Sequence, residues 1–274
     1  MKTAVITGGN SGIGKAIALA LAKKNFRIII HGRDAEKTLL AENEIKSVSG
    51  NRQVESIAAD VSSLAGMKNL VDAIKARTES INALVLSTGV ILPHRKVTPD
   101  GLEAGFAIQY LSRFTVTNLL MNELKKGNAR IVSVVAPVIP GAKIHFEDIT
   151  MEKNFTMIGA MSQEMFANHL FVQEFAKRHP QNDVVINMAN PGFSDTGIVR
   201  RLPVLLRWPY KLIATKPEKA AHNFIYLASD EGVNFSGYFL KKPGKPDIKV
   251  KANYDQSVSE RLWEKSMELI RPVL

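Results

Sequence analysis

Apolar and polar positions fall into two kinds of block along the chain. Residues 2–6, 26–31, 53–58, 83–87, 130–136 and 183–189 are short runs rich in Val, Ile and Leu, and the stretches between them repeat apolar positions every three or four residues. Short apolar runs suit strands buried on both faces of a parallel sheet, and the longer period marks the helices that cover it. Helices are expected at 15–24, 35–49, 64–79, 100–126, 160–175 and 217–228, with Ser62 or Ser63 as the N-cap of the third. A last strand is expected at 237–240, and an amphipathic helix containing 263–270 is expected to pack on the sheet. Strand and helix in alternation predict an α/β fold built on a doubly wound parallel sheet. At 274 residues the chain supports one large core, and a second domain would be cramped.

The first strand runs into Thr7-Gly8-Gly9-Asn10-Ser11-Gly12-Ile13-Gly14, and a helix follows at once. Strand, glycine-rich turn and helix start form an anion cradle of Rossmann type. Gly8 allows the tight turn, Gly12 leaves room for a pyrophosphate, and Gly14 lets the helix pack closely on the strand. The helix N-terminus offers its free N–H groups to the phosphates. The second strand ends in Gly32-Arg33-Asp34. An acid at this strand end holds an adenosine ribose, whereas an arginine suits a 2′-phosphate, so Arg33 favours NADP(H) while Asp34 keeps NAD(H) open.

Composition narrows the class. Hydrophobic residues make up 45% and mean hydropathy is −0.03, as in an ordinary soluble protein. No apolar stretch of about 18 residues exists to span a bilayer. The start of the chain shows no secretory h-region followed by a cleavage site, and a cytoplasmic location is the expectation. With no cysteine there is neither a disulfide framework nor thiolate chemistry. Lys and Arg number 36 against 26 acids, a surplus of +10 that can signal nucleic acid or an anionic membrane. No helix carries a dense basic stripe interleaved with aromatics, so nucleic acid is not expected, and no metal site is expected either.

The TGxxxGIG spacing resembles the short-chain dehydrogenase/reductase superfamily. FAIQYLSRFTVTNLL, KIHFEDITME and AMSQEMFANHLFVQEF resemble its retinol-dehydrogenase-like members, and the likeness extends from Lys2 to about Gly244. The resemblance implies a variable substrate lid at about 193–216 and a C-terminal extension at about 244–274. It implies a dinucleotide seat made by Gly8, Asn10, Ser11, Gly12, Ile13, Gly14 and Arg33, with Asp60 and Val61 at the adenine. Thr88 and Gly89 would lie beside the cofactor, where relatives have Asn-Asn-Ala-Gly. Pro191, Gly192 and Thr196 match the loop that holds the nicotinamide carboxamide. The implied catalytic positions, however, are occupied by other residues. Gln109 stands for the active-site Asn, Val135 for the Ser, and Met161 and Met165 for the Tyr and Lys of Tyr-x-x-x-Lys. Neither thioether donates a proton or carries charge. No Tyr lies between Leu111 and Pro209 to rebuild the pair, and the Tyr238/Lys242 spacing falls on the wrong element. Ser133 lies about 6.6 Å back along the strand from Val135, too deep to substitute for the missing Ser.

Three functions fit this pattern. The favoured one is a reductase that delivers hydride from NADP(H) to a hydrophobic small molecule, such as an iminium or enone, without a tyrosine acid. Ser162, Glu164, His145 and His169 are its candidate proton carriers. The second is a cofactor-binding pseudoenzyme or scaffold, and the third a non-redox enzyme that uses the nucleotide as structure. The lid sequence RRLPVLLRWPYKLIAT suits a greasy substrate, with membrane-surface contact the less favoured reading. The family pairs as homodimers or homotetramers through helices corresponding to 100–126 and 158–178.

Overall fold

The computed structural model describes residues 1–181, 183–192, 220–247 and 249–274. The expected lid, Thr196 and the start of the helix expected at 217–228 lie outside these residues. Seven parallel strands, β1 (Thr3–Thr7), β2 (Arg27–Gly32), β3 (Val54–Ala58), β4 (Ala83–Leu86), β5 (Arg130–Val134), β6 (Val185–Ala189) and β7 (Tyr238–Leu240), form one sheet with an antiparallel edge strand, β8 (Lys249–Lys251). The order is β3-β2-β1-β4-β5-β6-β7-β8. The direction of strand addition reverses between β1 and β4, and such a switch point opens a crevice at the carboxyl ends of the strands.

Each face of the sheet collects one parity of side chains, as period-two strands require. Ile6, Ile28 and Ile30 pack beneath α1 (Gly12–Lys23), α2 (Ala35–Ser49) and, with Phe224, α7 (His222–Ser229). Val5, Ile29 and Leu84 belong to the opposite core, which includes residues of α3 (Leu64–Lys75), α4 (residues 104–119) and α6 (Met157–Arg178). Helix starts are set by side-chain caps. Asp34, Ser63 and Thr156 accept from the backbone N–H groups of Lys37, Gly66 and Gly159 at 3.0, 3.2 and 3.0 Å.

Three expectations need correction. The helix expected at 100–126 begins later and is not uniform. It opens as Ala104–Phe106, widens into a π turn at Ala107–Leu111 and continues as Ser112–Leu119, together α4, before the short α5 (Met121–Lys126). The strand expected last is followed by β8, whose three residues, Lys, Val and Lys, are all exposed and make a run too short to mark a strand. The C-terminal helix α8 (Gln256–Ile270) packs on α4 and α6, because these helices already cover that face of the sheet. Its Trp263 ring lies 4.9 Å from Phe114 and 6.1 Å from Phe171, centroid to centroid.

Candidate active site

The glycine turn closes as its sequence implies. Gly8 has φ +66° and Gly12 φ +53°, the left-handed region that side chains disfavour. At Gly14 a Cβ would overlap the Gly8 carbonyl oxygen and approach Ser87 Oγ to 2.5 Å, so only a glycine lets α1 sit this close to the turn. Ser11, the N-cap of α1, is extended and makes no side-chain capping bond, while Ile13 turns inward to the core. The open helix start and the close backbone approach fit a pyrophosphate.

Asn10 reaches from this turn to the end of β2, where its Nδ2 donates to Thr38 Oγ1 at 3.3 Å. Gly32 leaves space for that contact, since a Cβ there would overlap both side chains. The two neighbouring charges then divide their roles. Asp34 caps α2, and the bond from the Lys37 N–H holds its carboxyl below the usual range. Arg33 is exposed and makes no ion pair among the described residues. After β3, Asp60 is exposed and its Oδ1 accepts from Ser62 N at 3.0 Å, whereas the Val61 side chain is buried in the core.

At the ends of β4 and β5 lies a residue that sequence reasoning missed. The last register pair joining these strands is Leu86 with Ser133. Beyond it the fully buried Arg113 of α4 fills the split, donating from Nη2 to Thr88 O at 2.9 Å and from Nη1 to Val134 O at 3.0 Å. Nη1 also reaches Ser133 Oγ at 2.9 Å and Asn168 Oδ1 at 3.2 Å. Ser133 is therefore committed below the cleft. On the other side of β4, Ser87 Oγ donates to Thr7 O at 2.5 Å. Arg113 and Ser87 thus knit the central strands together. Burial lowers the Arg113 pKa to about 10, against the raising effect of Glu164.

The π turn puts Gln109 at the mouth of this cluster. A wider turn releases its carbonyl from the α-helical ladder, and Asn168 Nδ2 donates to it at 3.0 Å. The Gln109 amide donates from Nε2 to Glu164 Oε2, and its Oε1 lies 3.3 Å from where a Gly89 Cβ would stand. Glu164 is buried on α6, three residues after Met161 and one before Met165, both half-buried. Burial first, and then the neighbouring Glu103 carboxyl, push Glu164 up to about 8, opposed by Arg113 and the Gln109 bond. Val135 is buried, and its N–H donates to Ala189 O at 3.2 Å. The other candidate proton carriers are placed less well. His169 has its ring nitrogens 3.1 Å from Ala136 O and 3.0 Å from Tyr254 Oη, and burial lowers it to about 4. His145 is exposed. At the end of β6, Gly192 has φ +66° and donates to Asn190 Oδ1 at 2.9 Å.

The model of the short chain dehydrogenase family matches residues 2–139, half of the sequence. The chain belongs to this family. Its place in the retinol-dehydrogenase-like branch of these oxidoreductases is shown by mouse retinol dehydrogenase 13, 30% identical over 98% of this chain and 84% of the relative, and human retinol dehydrogenase 11 is 29% identical over 98% of this chain and 86% of the relative. Two solved short-chain dehydrogenase structures share the fold. One is a 3-oxoacyl (acyl-carrier-protein) reductase from Agrobacterium tumefaciens with NADP bound, at TM-score 0.69 and 23% identity over 89% of this chain and 93% of that one. The other is a 7α-hydroxysteroid dehydrogenase complexed with NADH, at TM-score 0.71 and 19% identity over the same shares. Structural neighbours of this short-chain dehydrogenase thus bind either nucleotide.

Arg113 and Asn168 left a sequence signal, visible in retrospect. Arg113 follows Gln109 by four residues, a spacing that places the two on one helix face, and it is the only charged residue between Glu103 and Glu123. Asn168 lies four residues after Glu164 and donates to its carbonyl at 2.8 Å.

Proposed function

We propose that the chain is an NADP(H)-dependent reductase of unusual mechanism, passing hydride to a hydrophobic small molecule without a tyrosine acid. The observation that carries this reading is the glycine turn. Gly8, Gly12 and Gly14 keep the conformation and the close packing that a pyrophosphate needs, which is a stringent arrangement to retain without a nucleotide. Asn10, Ser11 and the backbone at Ile13 would hold the phosphates. Thr88, Gly89, Pro191, Gly192 and Thr196 would border the nicotinamide, and Asp60 and Val61 the adenine. Bound there, the nicotinamide supplies a hydride.

The preference for NADP(H) rests on Arg33 and Asp34. Asp34 spends its carboxylate on the start of α2 and is poorly placed to hold a ribose, whereas the exposed Arg33 is available to a 2′-phosphate. The half-buried thioethers of Met161 and Met165 give an adaptable apolar wall suited to a greasy acceptor. The relatives' names, retinol dehydrogenase and polyprenol dehydrogenase, point to greasy substrates as well.

One observation favours a second reading. Thioethers stand at both positions where the family resemblance calls for the Tyr and the Lys, as in a pseudoenzyme that binds the nucleotide and does nothing to it. Purified protein titrated with NADPH and then given aldehyde, enone and iminium acceptors separates the two. NADPH consumption with any class supports the reductase. Binding without consumption, together with carbonyl reduction gained by Met161→Tyr/Met165→Lys, supports the pseudoenzyme.

A further inference from the structure

We propose that Glu164 is the proton donor of this cleft, with Gln109 as the residue that orients its carboxyl. This inference rests on the reductase reading. Glu164 lies on α6 between the two methionines, and its carboxyl turns toward α4, where the Gln109 amide meets Oε2. Oε1 of the same side chain lies 3.3 Å from where a Cβ on exposed Gly89, just beyond β4, would stand, so Gln109 lies between the buried carboxyl and the exposed end of that strand.

The pocket around the carboxyl is built for it. Gly105, in the first turn of α4, has no side chain, and a Cβ there would overlap Glu164 Oε1 and stand 3.0 Å from Glu103 Oε2. A glycine inside a helix costs about 1 kcal/mol relative to alanine, so the space has an energetic cost. Glu103 uses both of its oxygens on the helix start, accepting from Gly105 N at 2.9 Å and Phe106 N at 2.7 Å. The ionisable groups acting on Glu164 are therefore a carboxyl already engaged, at the N-cap of α4, and the Arg113 guanidinium on α4 itself. Arg113 makes its hydrogen bonds to Ser133, Val134, Asn168 and Thr88 and none to Glu164. A carboxyl in dry surroundings beside a second carboxyl keeps its proton, and a buried acid that is neutral near pH 7 can serve as a general acid.

The chemistry balances. Hydride from a reduced nicotinamide adds to a C=O or conjugated C=C acceptor and leaves one negative charge on the product. The Glu164 O–H bond breaks, a new O–H or C–H bond forms on that product, and the Glu164 carboxylate regains a proton from solvent.

The test uses the whole chain and two nucleotides. The oxidised nicotinamide ring is cationic and the reduced ring is neutral, while the 2′-phosphate is common to both. The ratio of NADP+ to NADPH affinity therefore isolates a titrating group near the ring. From pH 7 to 9 that ratio should rise by roughly tenfold in the wild type as Glu164 ionises. It should be flat in the isosteric Glu164→Gln, with Glu164→Asp retaining a displaced slope and circular dichroism confirming that both fold. With an aldehyde acceptor, NADPH oxidation should fall above about pH 8 in the wild type, and Glu164→Gln should lower it by about a hundredfold and remove that limb. A flat wild-type ratio, a slope that Glu164→Gln preserves, or a rate that Glu164→Gln leaves unchanged overturns the assignment. Failure to bind either nucleotide, or binding of NADPH with no acceptor reduced, overturns the reductase reading instead.

Discussion

Replacing Arg113 by Met tests how the cleft floor is held. The guanidinium makes four hydrogen bonds, to Ser133 Oγ, Val134 O, Asn168 Oδ1 and Thr88 O, between 2.9 and 3.2 Å. Hydrogen bonds involving a charged partner contribute about 1.5–3 kcal/mol each, and the desolvation of a buried cation takes back several kcal/mol of that sum. The lowering of the Arg113 pKa to about 10 reflects this opposing cost. Methionine removes the cation but leaves the Thr88 and Val134 carbonyls and the Asn168 amide oxygen buried without their donor. At about 1 kcal/mol for each orphaned acceptor the net loss is about 3 kcal/mol. In a chain of this size that is a fall in Tm of about 6–12 °C. Urea unfolding of wild type and Arg113→Met at fixed pH measures it, with Ser133→Ala, which removes one acceptor, expected to lose about 1 kcal/mol. An Arg113→Met midpoint equal to or above that of the wild type would show that the guanidinium is not what joins β4 to β5.

Other consequences can be measured independently. Gly14→Ala should force α1 away from the turn at a cost of about 1–3 kcal/mol and weaken NADPH binding at least about tenfold, read by chemical denaturation and by calorimetric titration. Arg33→Ala should reduce the preference for NADPH over NADH by roughly tenfold or more, while a preference left intact would place the 2′-phosphate elsewhere. The pKa of Glu164 in the fold, about 8, lies above its ordinary 4.5, so its contribution to stability is fully present below about pH 4.5 and is lost as pH rises toward 8. The unfolding free energy of Glu164→Gln should therefore gain on that of the wild type between pH 5 and 8, and a pH-independent difference would contradict the burial argument.

The parts of this fold legible in the sequence are those where one local signal decides the structure. β1 and β2 are buried along almost their whole length, and both were expected within one residue of their observed ends. The glycine turn was legible because three of its four glycines, Gly8, Gly12 and Gly14, each have a separate steric reason. The π turn was not, since AIQYL keeps an apolar spacing compatible with an α-helix, and the partner of its freed Gln109 carbonyl, Asn168 of α6, is distant in sequence. Lys249–Lys251 was not read as a strand because three residues are too short a run for their alternation of Lys, Val and Lys to stand out. The proton carrier was narrowed to four residues and no further. Choosing Glu164 over His169 required knowing that α4 presents Gln109, Glu103 and Gly105 to one of them, while Ala136 and Tyr254 occupy the ring nitrogens of the other. Gln109 and Glu164 are separated by 55 residues, and no local pattern reports such a pairing.

The proposed function depends on the glycine turn at Gly8, Gly12 and Gly14 being a nucleotide seat. Isothermal titration of the intact chain with NADPH and with NADH tests this most directly. The account predicts saturable binding of one nucleotide per chain, tighter for NADPH and weakened by Gly14→Ala. A folded protein with no affinity for either nucleotide would contradict it.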